Sequence, residues 1–170
     1  ITGNSTYSST IQNCYSTGSA TQSSTGYAGG FIGLMANSYL SLTNCYSTGA
    51  VSGTNKGGFA AKYTAGTITA CYFDYETAGT STICASGTPS GITAATTTTM
   101  KTPSTFTTAG WSTSIWDLIA NNYPRLVWQV PVYSTFSGTG NWSEAARWSN
   151  GLPGSTTDVT ISGTCTVDAN

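Results

Sequence analysis

Two carboxylates, Asp74 and Glu76, lie two positions apart and are the first residues that could do chemistry. On a strand both side chains project from one face, as a glycosidase pair or a calcium site requires. Two carboxylates supply too few oxygens for the ~6–8 ligands of calcium. We therefore interpret the pair as a solvated strand face or turn. A carbohydrate-active enzyme is the least favoured of three hypotheses, and the chain is predicted not to be an enzyme.

The other reactive side chains are five cysteines: Cys14, Cys45, Cys71, Cys84 and Cys165. They include no Cys-x-x-Cys pair and the sequence has no histidine, so neither a metal nor a cofactor is predicted, nor a cysteine nucleophile with its base. Disulfides outside the cytoplasm and buried thiols are the two remaining interpretations. Cys71 and Cys84 enclose a loop that a disulfide could close, with two buried thiols as the alternative. The odd count makes Cys165 the candidate for a bond to another subunit.

Two tryptophans, Trp142 and Trp148, are candidate glycan contacts because indole rings stack on sugars. They stand in a turn-rich segment that leads into a strand, where aromatic side chains more often serve as packing anchors. Both interpretations are kept here.

The composition indicates a folded chain with very little charge. Of 170 residues only 6% are charged, the net charge is −1, and 38% are hydrophobic. No basic stripe is available to neutralise phosphates, so nucleic acid is not an expected partner, while weak repulsion between copies favours self-association. No apolar run is long enough for a membrane span. Because the sequence begins at Ile1 rather than Met, we expect that a leader or upstream region has been removed.

Internal repeats supply the elements that would position these residues. The segment Asn13-Cys14-Tyr15-Ser16-Thr17-Gly18 recurs further along the chain as Asn44-Cys45-Tyr46-Ser47-Thr48-Gly49, and Ala70-Cys71-Tyr72-Phe73 is a looser third copy. A Gly-Gly-Phe element follows the first two copies, at Gly29 and Gly57. Short Thr-, Tyr- and Ile-rich segments with Gly and Asn between them are typical of stacked strands. In such a stack Cys14, Cys45 and Cys71 form an interior ladder.

Residues 11–61 resemble tandem GLUG-type repeats, in which an Asn-Cys-Tyr-Ser-Thr-Gly segment precedes a Gly-Gly-Phe element. Residues 71–126 resemble the closing part of such arrays. The resemblance implies a β-helical architecture and a bacterial surface or secreted adhesin-like protein.

Three segments are predicted: repeats over 1–76, a cap over 77–132 and a C-terminal β segment over 133–170. A helical turn is expected at Thr96–Thr99, ending near Pro103. The cap is expected to cover the last repeat with Phe106, Trp111, Trp116, Tyr123 and Trp128. The last segment is predicted to form two strands around Ser162-Gly163, as the start of a further β unit or as an assembly strand that presents Val159, Ile161, Cys165 and Val167.

The sequence therefore predicts an all-β chain: a parallel β-solenoid with an aromatic-rich cap and a C-terminal strand segment. The predicted function is structural, as part of a self-assembling extracellular fibre or adhesin on a bacterial surface. Its partners would be copies of itself or the rest of a larger surface protein. A monomeric adhesin stalk that binds glycans or host proteins is the second hypothesis.

Overall fold

The structure is a computed structural model that describes residues 8–130, 132–154 and 157–168. It divides into two compact units, one that ends at Arg125 and one that begins at Leu126. Most of the regular structure is β-strand, which agrees with the predicted all-β class. No helix among the described residues is long and apolar enough to cross a membrane.

The first unit holds most of the short elements. Its strands are β1 (Ser9–Gln12), β2 (Tyr15–Ser16), β3 (Ala20–Thr21), β4 (Ala28–Gly29), β5 (Ile32–Thr43), β6 (Tyr46–Ser47), β7 (Val51–Ser52), β8 (Lys56–Gly57), β9 (Ala60–Thr69), β10 (Cys71–Asp74), β11 (Cys84–Ser86), β12 (Ile92–Ala95) and β13 (Trp116–Asp117), followed by β14 (Arg125–Leu126) at the boundary. The helices are α1 (Tyr75–Ala78), α2 (Thr97–Met100) and α3 (Pro103–Thr108). The helical turn predicted at Thr96–Thr99 is thus present as α2. Pro103 begins the next helix, α3, because proline fits the first turn of a helix.

Equivalent strands of successive repeats pair in parallel. One four-stranded sheet has the order β1-β5-β9-β11 and a second has the order β2-β6-β10-β12, while β3 pairs with β7, β4 with β8 and β13 with β14 in two-stranded sheets. The register places Ile11 beside Leu42 and Leu42 beside Ile68, which gives an apolar column. Leu42 and Ile68 are buried, and this column belongs to the core of the unit. The repeat that is visible in the sequence is therefore also the repeat of the packing.

The same sharp corner precedes each cysteine of the repeats. The residue before it has a left-handed backbone: Asn13 (φ 55°), Asn44 (φ 53°) and Ala70 (φ 49°). The thiol then donates a hydrogen bond to the carbonyl two residues back: Cys14 to Gln12 (3.2 Å), Cys45 to Thr43 (3.3 Å) and Cys71 to Thr69 (3.4 Å). Asparagine tolerates the left-handed region better than alanine does, which explains why it recurs in the motif.

Replacing Ala70 with glycine is expected to raise the free energy of unfolding by about 0.5 kcal/mol. Glycine removes the penalty that a Cβ imposes at positive φ, and this gain exceeds the entropy that glycine adds to the unfolded chain. Ala65→Gly in β9 is the matched control and is expected to destabilise, since its φ is not positive. Urea denaturation measures both changes, and an Ala70→Gly variant less stable than the parent would contradict the prediction.

Parallel pairing continues beyond residue 76, into the segment that was predicted to be a cap. β11 pairs with β9, with Cys84 beside Ala60, and β12 pairs with β10, with Ile92 beside Cys71. This layer has neither the Cys-Tyr pair nor the Gly-Gly element, so the sequence motif does not reveal it. A buried isoleucine takes the place of the cysteine.

The cap tryptophans Trp111 and Trp116 lie against the sheet that contains β2, β6 and β10, and their contacts are not confined to the last repeat. The register aligns three tyrosines in a column, namely Tyr15, Tyr46 and Tyr72. The indole nitrogen of Trp111 donates to the Ala70 carbonyl oxygen (3.0 Å), and that of Trp116 donates to Asn13 Oδ1 (3.2 Å). The cap therefore contacts the first repeat as well as the third. Trp128 belongs to the second unit and is 79% exposed.

The second unit is built on two long strands, β15 (Val132–Asn141) and β16 (Thr157–Thr166), with 3₁₀ turns at Val127–Gln129 and Ala145–Arg147. The strands pair in parallel over their whole length. The predicted break at Ser162-Gly163 is wrong, because β16 continues through both residues. Gly163 has a φ of 141° and lies beside Gly138, so the glycine serves a close approach of two strands and not a hairpin turn.

Candidate functional site

Asp74, one of the two carboxylates considered as candidate catalytic or calcium-binding residues, is completely buried. One carboxylate oxygen accepts hydrogen bonds from the backbone N–H groups of Glu76 (2.9 Å) and Thr77 (3.1 Å). The other accepts from the hydroxyls of Thr97 (2.7 Å) and Tyr123 (2.6 Å). Asp74 is thus the N-cap of α1 and also joins α1 to α2 and to the segment that carries Tyr123.

Glu76 has a structural role as well. Its Oε2 accepts a hydrogen bond from the backbone N–H of Thr97 (2.8 Å), at the start of α2. A negative charge there also interacts favourably with the helix N-terminus. Of the predicted strand face and turn, the turn describes Asp74, because this residue ends a strand, begins a helix and has its oxygens occupied by four donors, while Glu76 in the first turn of α1 is exposed.

The hydrogen bond to Asp74 changes the acidity of Tyr123. Burial first, and then the bond to the carboxylate, raise the pKa of Tyr123 to about 12. The ring also stacks on Tyr46, with the centroids 6.4 Å apart, and Lys101 lies over its face. Ionisation of the phenol would therefore remove the donor and place two negative charges side by side.

Because of Tyr123, the free energy of unfolding should depend on pH in the alkaline range. Its folded pKa of about 12 lies above the unfolded value of about 10. The hydroxyl therefore contributes stability that is fully present below pH 10 and is lost as the pH rises from 10 to 12. Tyr123→Phe keeps the ring but removes the titrating group. The difference in unfolding free energy between parent and variant, measured in urea at pH 8 to 12, should shrink toward pH 12; a constant difference would refute this role.

The cysteines of the predicted ladder differ in their exposure. Cys45 and Cys71 are buried, whereas Cys14 is exposed at the first repeat. The hydrogen bond with the Cys71 thiol, and then burial, raise the pKa of Cys45 far above its usual range, and burial raises the pKa of Cys14. Cys45 and Cys71 both lie in the hydrophobic core cluster among apolar side chains, so the buried pair acts as packing.

The candidate disulfide between Cys71 and Cys84 is not formed, and both residues are free buried thiols. Their strands explain why. Cys71 lies in β10, between β6 and β12, whereas Cys84 lies in β11 of the other sheet and pairs with Ala60. The short segment between Cys71 and Cys84 therefore connects two different sheets.

The tryptophan pair of the second unit packs inward. Trp148 is only 5% exposed, and its ring lies edge-on to Phe136 (5.2 Å) and to Trp142 (4.7 Å). Its indole nitrogen donates to the Trp142 carbonyl oxygen (2.9 Å). Trp148 is thus a packing anchor, and Trp142, which is half-buried, is the remaining candidate for stacking on a sugar.

The residues of the predicted assembly strand are open to solvent. Val159, Ile161 and Val167 are exposed and Cys165 is half-buried as a free thiol. β16 already pairs with β15 along one edge, so only its other edge is available to a partner. Within the described part of the chain, we find no group of three or more His, Cys, Asp or Glu side chains that could hold a metal ion.

Comparison of the chain with family models, curated proteins and solved structures found no match. The resemblance to GLUG-type repeats therefore stays a prediction carried by the motif alone.

Sequence reasoning missed two features that organise the site. The tyrosine column carries the aromatic cap, and the repeated Cys-Tyr pair was its signal, because inward and outward positions alternate along a strand. The pattern Thr-apolar-Ser-Gly-Thr occurs at 135–139 and again at 160–164, and the two copies stack. A search for short repeats within the C-terminal segment would have found it.

Proposed function

We propose that the chain is a non-enzymatic, extracellular structural segment, part of a self-assembling fibre or an adhesin of a bacterial surface, and that its first unit is a parallel β-solenoid. One observation carries the proposal: successive repeats pair in parallel register around common core columns. Each repeat then depends for its stability on contacts with the neighbouring repeats, which suits an extended structural element.

The structural roles of the carboxylates and cysteines that could have done chemistry support a mechanical function. Asp74 and Glu76 hold helices in place, and Cys45 and Cys71 fill the core. The low charge of the chain, with 6% charged residues and a net charge of −1, supports association between copies, since little repulsion opposes it. The exposed edge of β16 is the proposed point of joining, by addition of a strand.

A monomeric adhesin stalk is the second candidate. The outer face of the sheet that contains β1, β5 and β9 supports it, because the register aligns the hydroxyl residues Thr10, Ser41 and Thr67 there. Aligned hydroxyls and the half-buried Trp142 are groups that hydrogen-bond to or stack on glycans. In this case binding to a glycan array should fall when Trp142 is replaced by alanine.

Electron microscopy of the chain, with and without reducing agent, tests the proposal. Regular filaments with a one-subunit repeat are expected. Their loss on reduction and in a Cys165→Ser variant would assign the joint to an intermolecular disulfide, whereas filaments that survive both would assign it to strand addition alone. Single short rods under all conditions would reject self-assembly and favour the stalk. Turnover of a polysaccharide by the folded chain would reject the non-enzymatic assignment.

A further inference from the structure

β15 and β16 carry two copies of one short pattern. Residues 135–139 read Thr-Phe-Ser-Gly-Thr and residues 160–164 read Thr-Ile-Ser-Gly-Thr, and the parallel register pairs them one by one. The glycines are required by this pairing. A Cβ on Gly163 would lie 2.0 Å from the carbonyl oxygen of Gly138, and both residues have positive φ.

The two outer edges of this pair are different. The segment that connects the strands folds back on β15: the N–H of Ser149 donates to the Thr135 carbonyl oxygen (3.0 Å), and Trp148 covers Phe136. Over the described ranges no strand pairs with the outer edge of β16. One edge is thus closed by the chain itself and the other is open.

The apolar side chains of the pair show the same asymmetry. Phe136 and Ile161 are neighbours in the register and lie on one face, yet Phe136 is fully buried and Ile161 is 49% exposed. Val159 on the same face is also exposed. β16 contains no Lys, Arg or Pro, residues with which proteins often protect an open edge, and its one charged residue is Asp158 near its start.

We propose that the outer edge of β16 binds a polypeptide strand in parallel, and that this strand carries the Thr-apolar-Ser-Gly-Thr pattern of β15 and β16. The binding would continue the β15–β16 ladder by one step in the same register. The apolar residue of the new strand would cover Ile161, and its glycine would lie against Gly163 as Gly163 lies against Gly138, where an added Cβ would be 2.0 Å from the carbonyl oxygen. This deepens the proposed function and rests on it, because it names the strand that joins the next segment.

A labelled decapeptide with the sequence of residues 132–141 is the probe, since it contains the pattern and no cysteine. Fluorescence anisotropy with the whole chain under reducing conditions should show at least tenfold tighter binding of this peptide than of the same peptide with alanine in place of the pattern glycine. Ile161→Lys should weaken binding at least tenfold. Ile119→Lys, at a similarly exposed residue of the first unit, should leave it unchanged.

Equal affinity for the glycine and alanine peptides would overturn the proposal, and so would unchanged binding by a folded Ile161→Lys variant. A dimer in sedimentation that Ile161→Lys dissociates and the peptide does not would also overturn it, because the edge would then belong to a second copy. Microscopy separates this result from the proposed function. Filaments without selective peptide binding would reject only the strand pattern, whereas absence of filaments would reject self-assembly whatever the peptide does.

Discussion

Replacing Asp74 with alanine is expected to lower the free energy of unfolding of the first unit by at least ~3 kcal/mol. The side chain is fully buried and accepts four hydrogen bonds. Its removal leaves the hydroxyls of Thr97 and Tyr123 and two helical N–H groups without their acceptor, and bonds to a charged acceptor are worth more than neutral ones. Urea denaturation followed by tryptophan fluorescence measures the loss.

Asp117→Ala is the matched control for this prediction. Asp117 accepts a hydrogen bond from Arg125 at 2.6 Å, but that pair is partly exposed and is expected to contribute less than ~1 kcal/mol. Equal effects of the two substitutions would show that Asp74 is not the residue that joins the helices to the repeats. A stable Asp74→Ala variant would also reopen the question of a chemical role for this carboxylate.

Replacing Gly58 with alanine should destabilise the first unit by about 3 kcal/mol or more. An added Cβ would lie 2.0 Å from the ring of Phe73, which is fully buried in the core. The ring has no open space to move into without disturbing its neighbours, because protein interiors are close-packed. The effect should appear as a lower urea midpoint.

Gly33→Ala is the control for Gly58. A Cβ at Gly33, in β5, would meet no atom within 4 Å, so this substitution is expected to be neutral or slightly stabilising. If both variants were equally stable, the close approach of Gly58 to Phe73 would not be what selects glycine in the Gly-Gly-Phe element.

The repeats were predictable because their spacing carries the register. Asn44-Cys45-Tyr46 repeats Asn13-Cys14-Tyr15, and from this the parallel stack and the burial of Cys45 follow. The layer formed by β11 and β12 was not predictable. Ile92 satisfies the same core position as a cysteine, since the position selects apolar volume and not a particular residue type.

The candidate sites were less predictable because they depend on tertiary contacts. The sequence places Asp74 and Glu76 two residues apart, but only the fold brings Thr97 and Tyr123 to the carboxylate. The separation between Cys71 and Cys84 suggested a disulfide, yet it says nothing about which sheet each cysteine enters. The separation of two residues along the chain predicts a contact within one element better than it predicts a contact between two different sheets.

The corner before each cysteine also bears on how such a chain can change in evolution. Its hydrogen bond from thiol to carbonyl closes within three residues, as at Thr43 and Cys45, so each of the three layers that contain such a cysteine carries its own bend. The loops beyond the corner differ in length, because the chain from Cys14 to Cys45 is longer than the chain from Cys45 to Cys71. Duplication or deletion of one such layer would therefore leave the remaining bends intact, so the number of layers could change by recombination within the gene without redesign of the core.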